Sequence, residues 1–333
     1  MKRTFSDLSG TTDSTRAQIA RTAGKLKRVW CIRHGQTEVN VGMIEEQRLC
    51  KAEGRPWVPK ESKALHIPDV ALTALGQHQA QVASTDPVIS NSALAPPGDE
   101  ECAQLVVVSP LRRTLQTALG LCRAAAARTA DTSTDAMVIL AHPDLQECGT
   151  YPCDTGRPIE ELKAEFGEEE IDFSILAASK EPWFEKRSLW GTPPMNELEA
   201  DPEGLAALQA RCARFSAWLA ARPEERVIVV AHHTLFCHLL NMDFMNCEVV
   251  EMALHLDKDQ VSWHPVQASS MVVPFYTKDG QPITVGGSNP LSGSLAACLT
   301  KYGMAAAQET AKRAGLPDPS IERPAFPAVP ATY

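Results

Sequence analysis

Four short runs in this 333-residue chain collect the side chains able to do chemistry. Arg33, His34, Gly35, Gln36, Thr37 and Asn40 follow an apolar stretch in VWCIRHGQTEVN (29–40). Ser109, Arg112 and Arg113 follow LVVV (105–108). Glu147 lies in HPDLQECGTYPCDTG after the apolar run AMVIL, and His232 and His233 close RVIVVAHH. Two histidines, one or two arginines and a carboxyl group are what phosphoryl transfer asks for. The transferring group carries spread negative charge and needs fixed cations and donors. The planar fork of arginine matches phosphate oxygens in pairs. A neutral imidazole can act as nucleophile, and nearby arginines keep it neutral by lowering its pKa. A carboxyl group can protonate the leaving oxygen. No metal is required where arginines supply the charge neutralisation.

These residues need elements that bring them together. Residues 27–33, 105–109, 136–140 and 226–232 read as short buried strands. Helical spacing follows over 72–84 with Thr73 as N-cap, over LRRTLQTALGLCRAAAA with Pro110 at the first helical position, over RPIEELKAEFGEEE, and over PEGLAALQARCARFSAWLAARP. Another helix starts near Thr234, and 291–314 suggests a last one. Residues 41–72, with mixed charges and three prolines, read as an inserted excursion; 86–100 reads as a Pro-rich loop; 142–200 is otherwise irregular. SSMVVPFYT (269–277) reads as an edge strand, because Pro274 cannot donate to a ladder. Strands alternating with helices predict an α/β fold, a three-layer α/β/α sandwich with a mostly parallel central sheet. Ligands of such sheets bind beyond the carboxyl ends of strands, and all four chemical runs fall there.

At this point the chain resembles the histidine phosphatase superfamily, also called phosphoglycerate-mutase-like. The resemblance rests on RHGQTEVN (33–40), DVALTALGQHQA (69–80), SPLRRTLQTA (109–118), LQE (145–147) and VVAHHTLF (229–236), in the family's order. It implies His34 as the nucleophile that becomes phosphohistidine. It implies Arg33, Asn40 and Arg113 as phosphate ligands. Thr37 and His233, neighbours of these motif residues, are further candidates for phosphate contact. Arg112 fills an unspecified position and points away. His232 matches the second histidine, which donates to phosphate oxygens, and Glu147 matches the general acid. No cofactor and no metal are implied. Two departures are visible. His233 stands where the family usually has glycine. ECGTYPCDTG replaces the segment that mutases carry after the acid, and their Gly-Asn-Ser after the second histidine is missing. The two absences, of that segment and of the Gly-Asn-Ser, favour a phosphatase over a mutase.

Competing readings stay open at single residues. Asp154 or Glu38 could serve as the acid in place of Glu147. His232, His233, Cys237 and His238 do not have the spacing of a zinc site. Trp183, Trp190 and Trp218 read as core or lid packing. The expected activity is a metal-independent phosphomonoesterase, with a phosphoglycerate-type mutase or a catalytically weak binding scaffold as alternatives. The net-acidic 155–200 section favours a small, modestly charged phosphoester substrate. A formal charge of -9 argues against nucleic acid or an acidic membrane as partner. Ten scattered cysteines read as free thiols in a reducing, cytoplasmic setting. The basic, Ser/Thr-rich N-terminus reads as a solvated tail; Asp7 and Asp13 disfavour an organelle transit peptide. The expected organisation is a flexible tail over 1–27, a catalytic domain over 28–290 with inserts at 41–72 and 155–200, and a helix with a Pro-rich tail over 291–333.

Overall fold

The computed structural model describes residues 26–58, 61–95, 99–129, 137–167, 169–178, 183, 202–242, 244–257, 260–269, 275–276 and 282–283. In chain order the elements are β1 (Leu26–Arg33), α1 (Glu38–Ala52), α2 (Ala74–Ala83), α3 (Pro87–Ser90), β2 (Leu105–Val108), α4 (Arg112–Thr129), β3 (Ile139–Ala141), α5 (Ile159–Phe166) and α6 (Ser174–Ala177). They continue with α7 (Pro202–Ala221), β4 (Arg226–Ala231), α8 (His233–Leu239), β5 (Val249–Asp257), β6 (Gln260–Ala268), β7 (Phe275–Tyr276) and β8 (Pro282–Ile283). Six strands form one sheet in the order β3-β2-β4-β1-β5-β6. The first four are mutually parallel; β5 and β6 add an antiparallel edge.

Period-two alternation explains why both faces of this sheet are covered. Trp30, Ile32, Val106, Val108, Ile228 and Val230 face one core, shared with Ala80 of α2, Leu115 and Ala118 of α4 and Leu162 of α5. Their neighbours Val29, Cys31, Leu105, Val107, Val227 and Val229 face a second core with Leu208, Phe215 and Leu219 of α7 and Leu235 and Phe236 of α8. The chain is therefore a three-layer α/β/α sandwich. Each fully buried Val, Leu or Ile contributes about 1.5–3 kcal/mol. Trp30 adds a satisfied donor, its indole N–H meeting the Val88 carbonyl oxygen at 2.9 Å. Trp183 is buried in the first core and Trp218 packs against the second; Trp190 lies outside the described residues. The nine described cysteines are all free thiols. Among the described residues, no helix is long and apolar enough to cross a membrane.

Several local expectations need correction. The first half of 41–72 is no excursion: α1 runs through it, started by a Thr37/Asn40 capping box. The cap supplies its start. Pro110 precedes α4 instead of opening it, the helix starting at Arg112. The third strand is Ile139–Ala141, set by its pairing with Val106–Val108. The short helix α3 interrupts the loop expected over 86–100, capped by Asp86. The edge of the central sheet is β6, not 269–277; Phe275–Tyr276 pairs with Pro282–Ile283 in a separate two-stranded sheet. The β5–β6 hairpin escaped the sequence because β5 is buried without clean alternation. Pro265 also sits inside β6, where an edge unpaired among the described residues and a nearby register shift accommodate it. The helix expected over 291–314 and the tail beyond it lie outside the described residues, as do residues 1–25.

Candidate active site

Sheet register assembles the site. β2, β4 and β1 are adjacent and parallel, so their carboxyl ends lie side by side. The His34 N–H bonds to the Ala231 carbonyl at 3.0 Å, and the Ser109 N–H bonds to the Val230 carbonyl at 3.0 Å. His34, His232 and Ser109 are therefore neighbours, although nearly 200 residues separate the first two. The His34 and His232 rings lie 5.2 Å apart, centroid to centroid.

The loop after β1 is gripped by two helices. The Gly35 N–H donates to Thr117 Oγ1 of α4 at 3.0 Å, and the Gln36 N–H to Gln79 Oε1 of α2 at 2.7 Å. The Thr73 N–H reaches the Gln36 carbonyl at 2.9 Å. The approach is too close for side chains. A Cβ on Gly35 would lie 3.0 Å from the Gly76 carbonyl carbon; a Cβ on Gly76 would lie 2.9 Å from Gln36 C and N and closer still to its oxygen. The glycines of RHGQ and LTALGQ are two sides of one backbone contact.

His34 is 4% exposed. Its Nδ1 lies 2.7 Å from the Gly35 carbonyl oxygen. An oxygen of that kind only accepts, so Nδ1 carries the proton and Nε2 keeps its lone pair. Burial first, then the charges of Arg113 and Arg33, hold the imidazole well below the ordinary histidine range. His233 adds a smaller push in the same direction. Arg33 itself donates from Nη1 to the Phe244 carbonyl at 2.7 Å. Arg113 is buried and donates from Nε to His232 Nδ1 at 3.2 Å, from Nη1 to the Cys153 carbonyl at 2.6 Å and from Nη2 to Asp154 Oδ1 at 2.9 Å. Because His232 Nδ1 accepts, the His232 proton sits on Nε2, which lies 2.8 Å from Ser109 Oγ. Arg112 does point away, pairing with Glu165 at 2.6 Å.

The remaining candidates occupy helix ends. Thr37 is the N-cap of α1: its N–H and its hydroxyl both donate to Asn40 Oδ1 at 3.0 Å, and the Asn40 N–H returns to Thr37 Oγ1 at 3.2 Å. The donors of Thr37 are spent on the cap, which takes the Asn40 side-chain oxygen and leaves its NH₂ outside these bonds. Glu147 caps α8. Its Oε1 accepts from Cys148 N at 2.8 Å and Leu235 N at 3.2 Å, and its Oε2 from Thr234 N at 3.3 Å. His233 is the first residue of α8 and lies 3.8 Å from Cys237 Sγ through Nε2, one turn along the helix. Among the described residues, no group of three His, Cys, Asp or Glu is placed to hold a metal ion.

Sequence reasoning gave no role to the clamp under the β1 end. Asn246 Nδ2 donates to the His34 carbonyl at 2.7 Å, and the Cys247 N–H to the Arg33 carbonyl at 2.9 Å. No local signal could reveal these contacts across more than 200 residues. Thr117 was more accessible: it stands four residues after Arg113 on one helix face. Asp154, weighed as an acid, is the ion-pair partner of Arg113.

The model of the histidine phosphatase superfamily (branch 1) matches residues 29–271. Phosphoglycerate mutase-like protein 1 of Arabidopsis thaliana is 26% identical over 220 residues, covering 56% of this chain and 70% of that protein. A second Arabidopsis thaliana protein, named phosphoglycerate mutase-like protein, is 29% identical over 175 residues, covering 46% of this chain and 59% of its own length. Among solved structures, the ecdysone phosphate phosphatase of Bombix mori is similar at 16% identity and a TM-score of 0.41, covering 80% of this chain and 97% of that one. The chain belongs to the histidine phosphatase superfamily.

Proposed function

We propose that this member of the histidine phosphatase superfamily is a phosphomonoesterase that works through a phosphohistidine on His34. The observation that carries the reading is the state of His34: a neutral imidazole whose Nε2 lone pair is available, held between two guanidinium groups. In the first step Nε2 attacks phosphorus, the bond from phosphorus to the ester oxygen breaks, and Glu147 gives its proton to the leaving alcohol. Arg33, Arg113 and the Asn40 amide stabilise the charge on the phosphoryl oxygens, and His232, whose own N–H faces Ser109, receives the Arg113 Nε–H and holds that guanidinium in place. In the second step water attacks phosphorus, the phosphorus–nitrogen bond breaks, and Glu147 takes up the proton of the water. Thr37 serves the site by holding Asn40, and His233 is a further candidate for contact with the phosphoryl group.

The names of the Arabidopsis relatives keep a mutase as the second reading. A mutase must hold a second anionic group. Arg112, next to Arg113, and Arg157 are both bonded to Glu165, and Arg157 also to Asp69. That charge balance favours a monoester with a modestly charged alcohol. The test is trapping of ³²P on His34 from p-nitrophenyl phosphate, beside a coupled assay for bisphosphoglycerate-dependent isomerisation. Labelling with release of inorganic phosphate, both lost in His34→Ala, supports the proposal; isomerisation without net hydrolysis would make it a mutase. A His34→Ala protein with full turnover would refute both, and a wild-type protein that takes no label would be a binding scaffold.

A further inference from the structure

We propose that Asp154 is a positioning residue for the phosphoryl site, fixing Arg113 and, through Arg113, the tautomer of His232. This deepens the phosphatase reading and rests on it for its kinetic arm. A guanidinium has five N–H groups. Arg113 commits three of them, one each to His232 Nδ1, the Cys153 carbonyl and Asp154 Oδ1. Two remain, one on each terminal nitrogen, enough for a bidentate grip on a phosphoryl group. Three acceptors in different directions fix both the plane of the group and its rotation. Asp154 supplies the only charged one of the three.

The seat of Asp154 is built for it. The turn Pro152–Asp154 is closed by the Asp154 N–H to the Tyr151 carbonyl at 2.9 Å and the Thr155 N–H to the Pro152 carbonyl at 3.1 Å. Gly149 makes room: a Cβ there would lie 3.1 Å from Asp154 Cγ and closer still to Oδ2. Beyond Arg113 the relay continues. Arg113 Nε–H can donate to His232 Nδ1 only while that nitrogen carries no proton, which puts the His232 proton on Nε2, facing Ser109 Oγ. This arrangement also argues against Asp154 as the leaving-group acid. A proton on Asp154 would leave the buried Arg113 charge facing an uncharged partner.

Full-length Asp154→Asn and Gly149→Ala proteins separate these roles. Gly149→Ala displaces the carboxylate without removing it, so it carries the same comparison should the Asn protein fail to fold. Two esters are compared: p-nitrophenyl phosphate, whose leaving group needs no proton, and glycerol 2-phosphate, whose alcohol does. Loss of positioning should lower kcat by about 10- to 100-fold on both esters, by the same factor within about threefold. The ¹⁵N shifts of His232 should move from a pure Nε2–H tautomer to a mixture, a change that a general loss of packing at this turn does not produce. A loss at least tenfold larger on glycerol 2-phosphate would make Asp154 the acid and overturn the proposal. Wild-type kcat with an unchanged His232 tautomer would overturn it as well. The His232 measurement does not depend on turnover, so it decides the positioning role even if the wild-type protein takes no label on His34.

Discussion

Replacing Gly76 by alanine sets a gain in helix stability against a loss of site geometry. Gly76 lies inside α2, where alanine is favoured over glycine by about 1 kcal/mol. The new Cβ would press on the Gln36 backbone, 2.9 Å from its nitrogen and carbonyl carbon, distances that real Cβ atoms do not show. No flexible side-chain end is available to yield, so α2 and the 35–37 loop must separate by roughly 1 Å. Overpacking of this kind costs about 1–3 kcal/mol, which offsets the propensity gain and leaves the protein folded but less stable. The site suffers more. The loop carries His34 at one end and the Thr37/Asn40 cap at the other, and misplacement by ~1 Å costs about 10²-fold in rate. Steady-state kinetics on p-nitrophenyl phosphate with thermal unfolding of the same sample should show kcat down about 100-fold and a lowered Tm. Gly120→Ala in α4 is the control: its Cβ would meet only the Ala80 methyl at 3.2 Å, so activity should stay near wild type. A Gly76→Ala enzyme with wild-type kcat and a raised Tm would show that the close approach does not position the site.

Three further outcomes are expected. His142 is held at about 4 by burial, against 6.5 for an exposed histidine; the unfolded chain binds that proton first, so stability is complete above about pH 6.5 and falls as pH drops toward 4, by on the order of 3 kcal/mol in all. Urea unfolding at pH 7 and pH 5 should show this loss in wild type and a smaller one in His142→Asn, which keeps an acceptor for the Asp144 N–H; equal losses would remove His142 from the account. Thr37→Ala should cost about 1 kcal/mol through the lost cap and lower kcat by releasing Asn40, while Thr37→Ser retains both; a Ser variant as impaired as Ala would point to direct contact with substrate. Glu147→Gln should slow glycerol 2-phosphate far more than p-nitrophenyl phosphate, because only the first alcohol needs a proton to leave; equal slowing would mean that capping α8 is its whole role.

The sequence by itself determined the layers and the location of the chemistry. Apolar runs such as VWCI and RVIVV, each ending in a charged or polar cluster, are legible because strand periodicity and the strand-end rule are local and general. The pairs Arg33–His34 and His232–His233 could be placed at one edge before any contact was known. Element limits with non-local causes were not legible: β3 is set by pairing with β2, and β6 by pairing with β5 across a register shift that tolerates Pro265.

Only the tertiary structure decided how each side chain spends its hydrogen bonds. Thr37 became a cap, Asp154 a partner for Arg113, and Glu147 the end of α8, because register and crossovers brought their donors and acceptors within reach. Asn246 came to hold His34 across 212 residues of chain. A residue's type states what it can bond to. Which partner arrives depends on strand pairing and helix docking summed over the whole molecule, and no local window of sequence contains that sum.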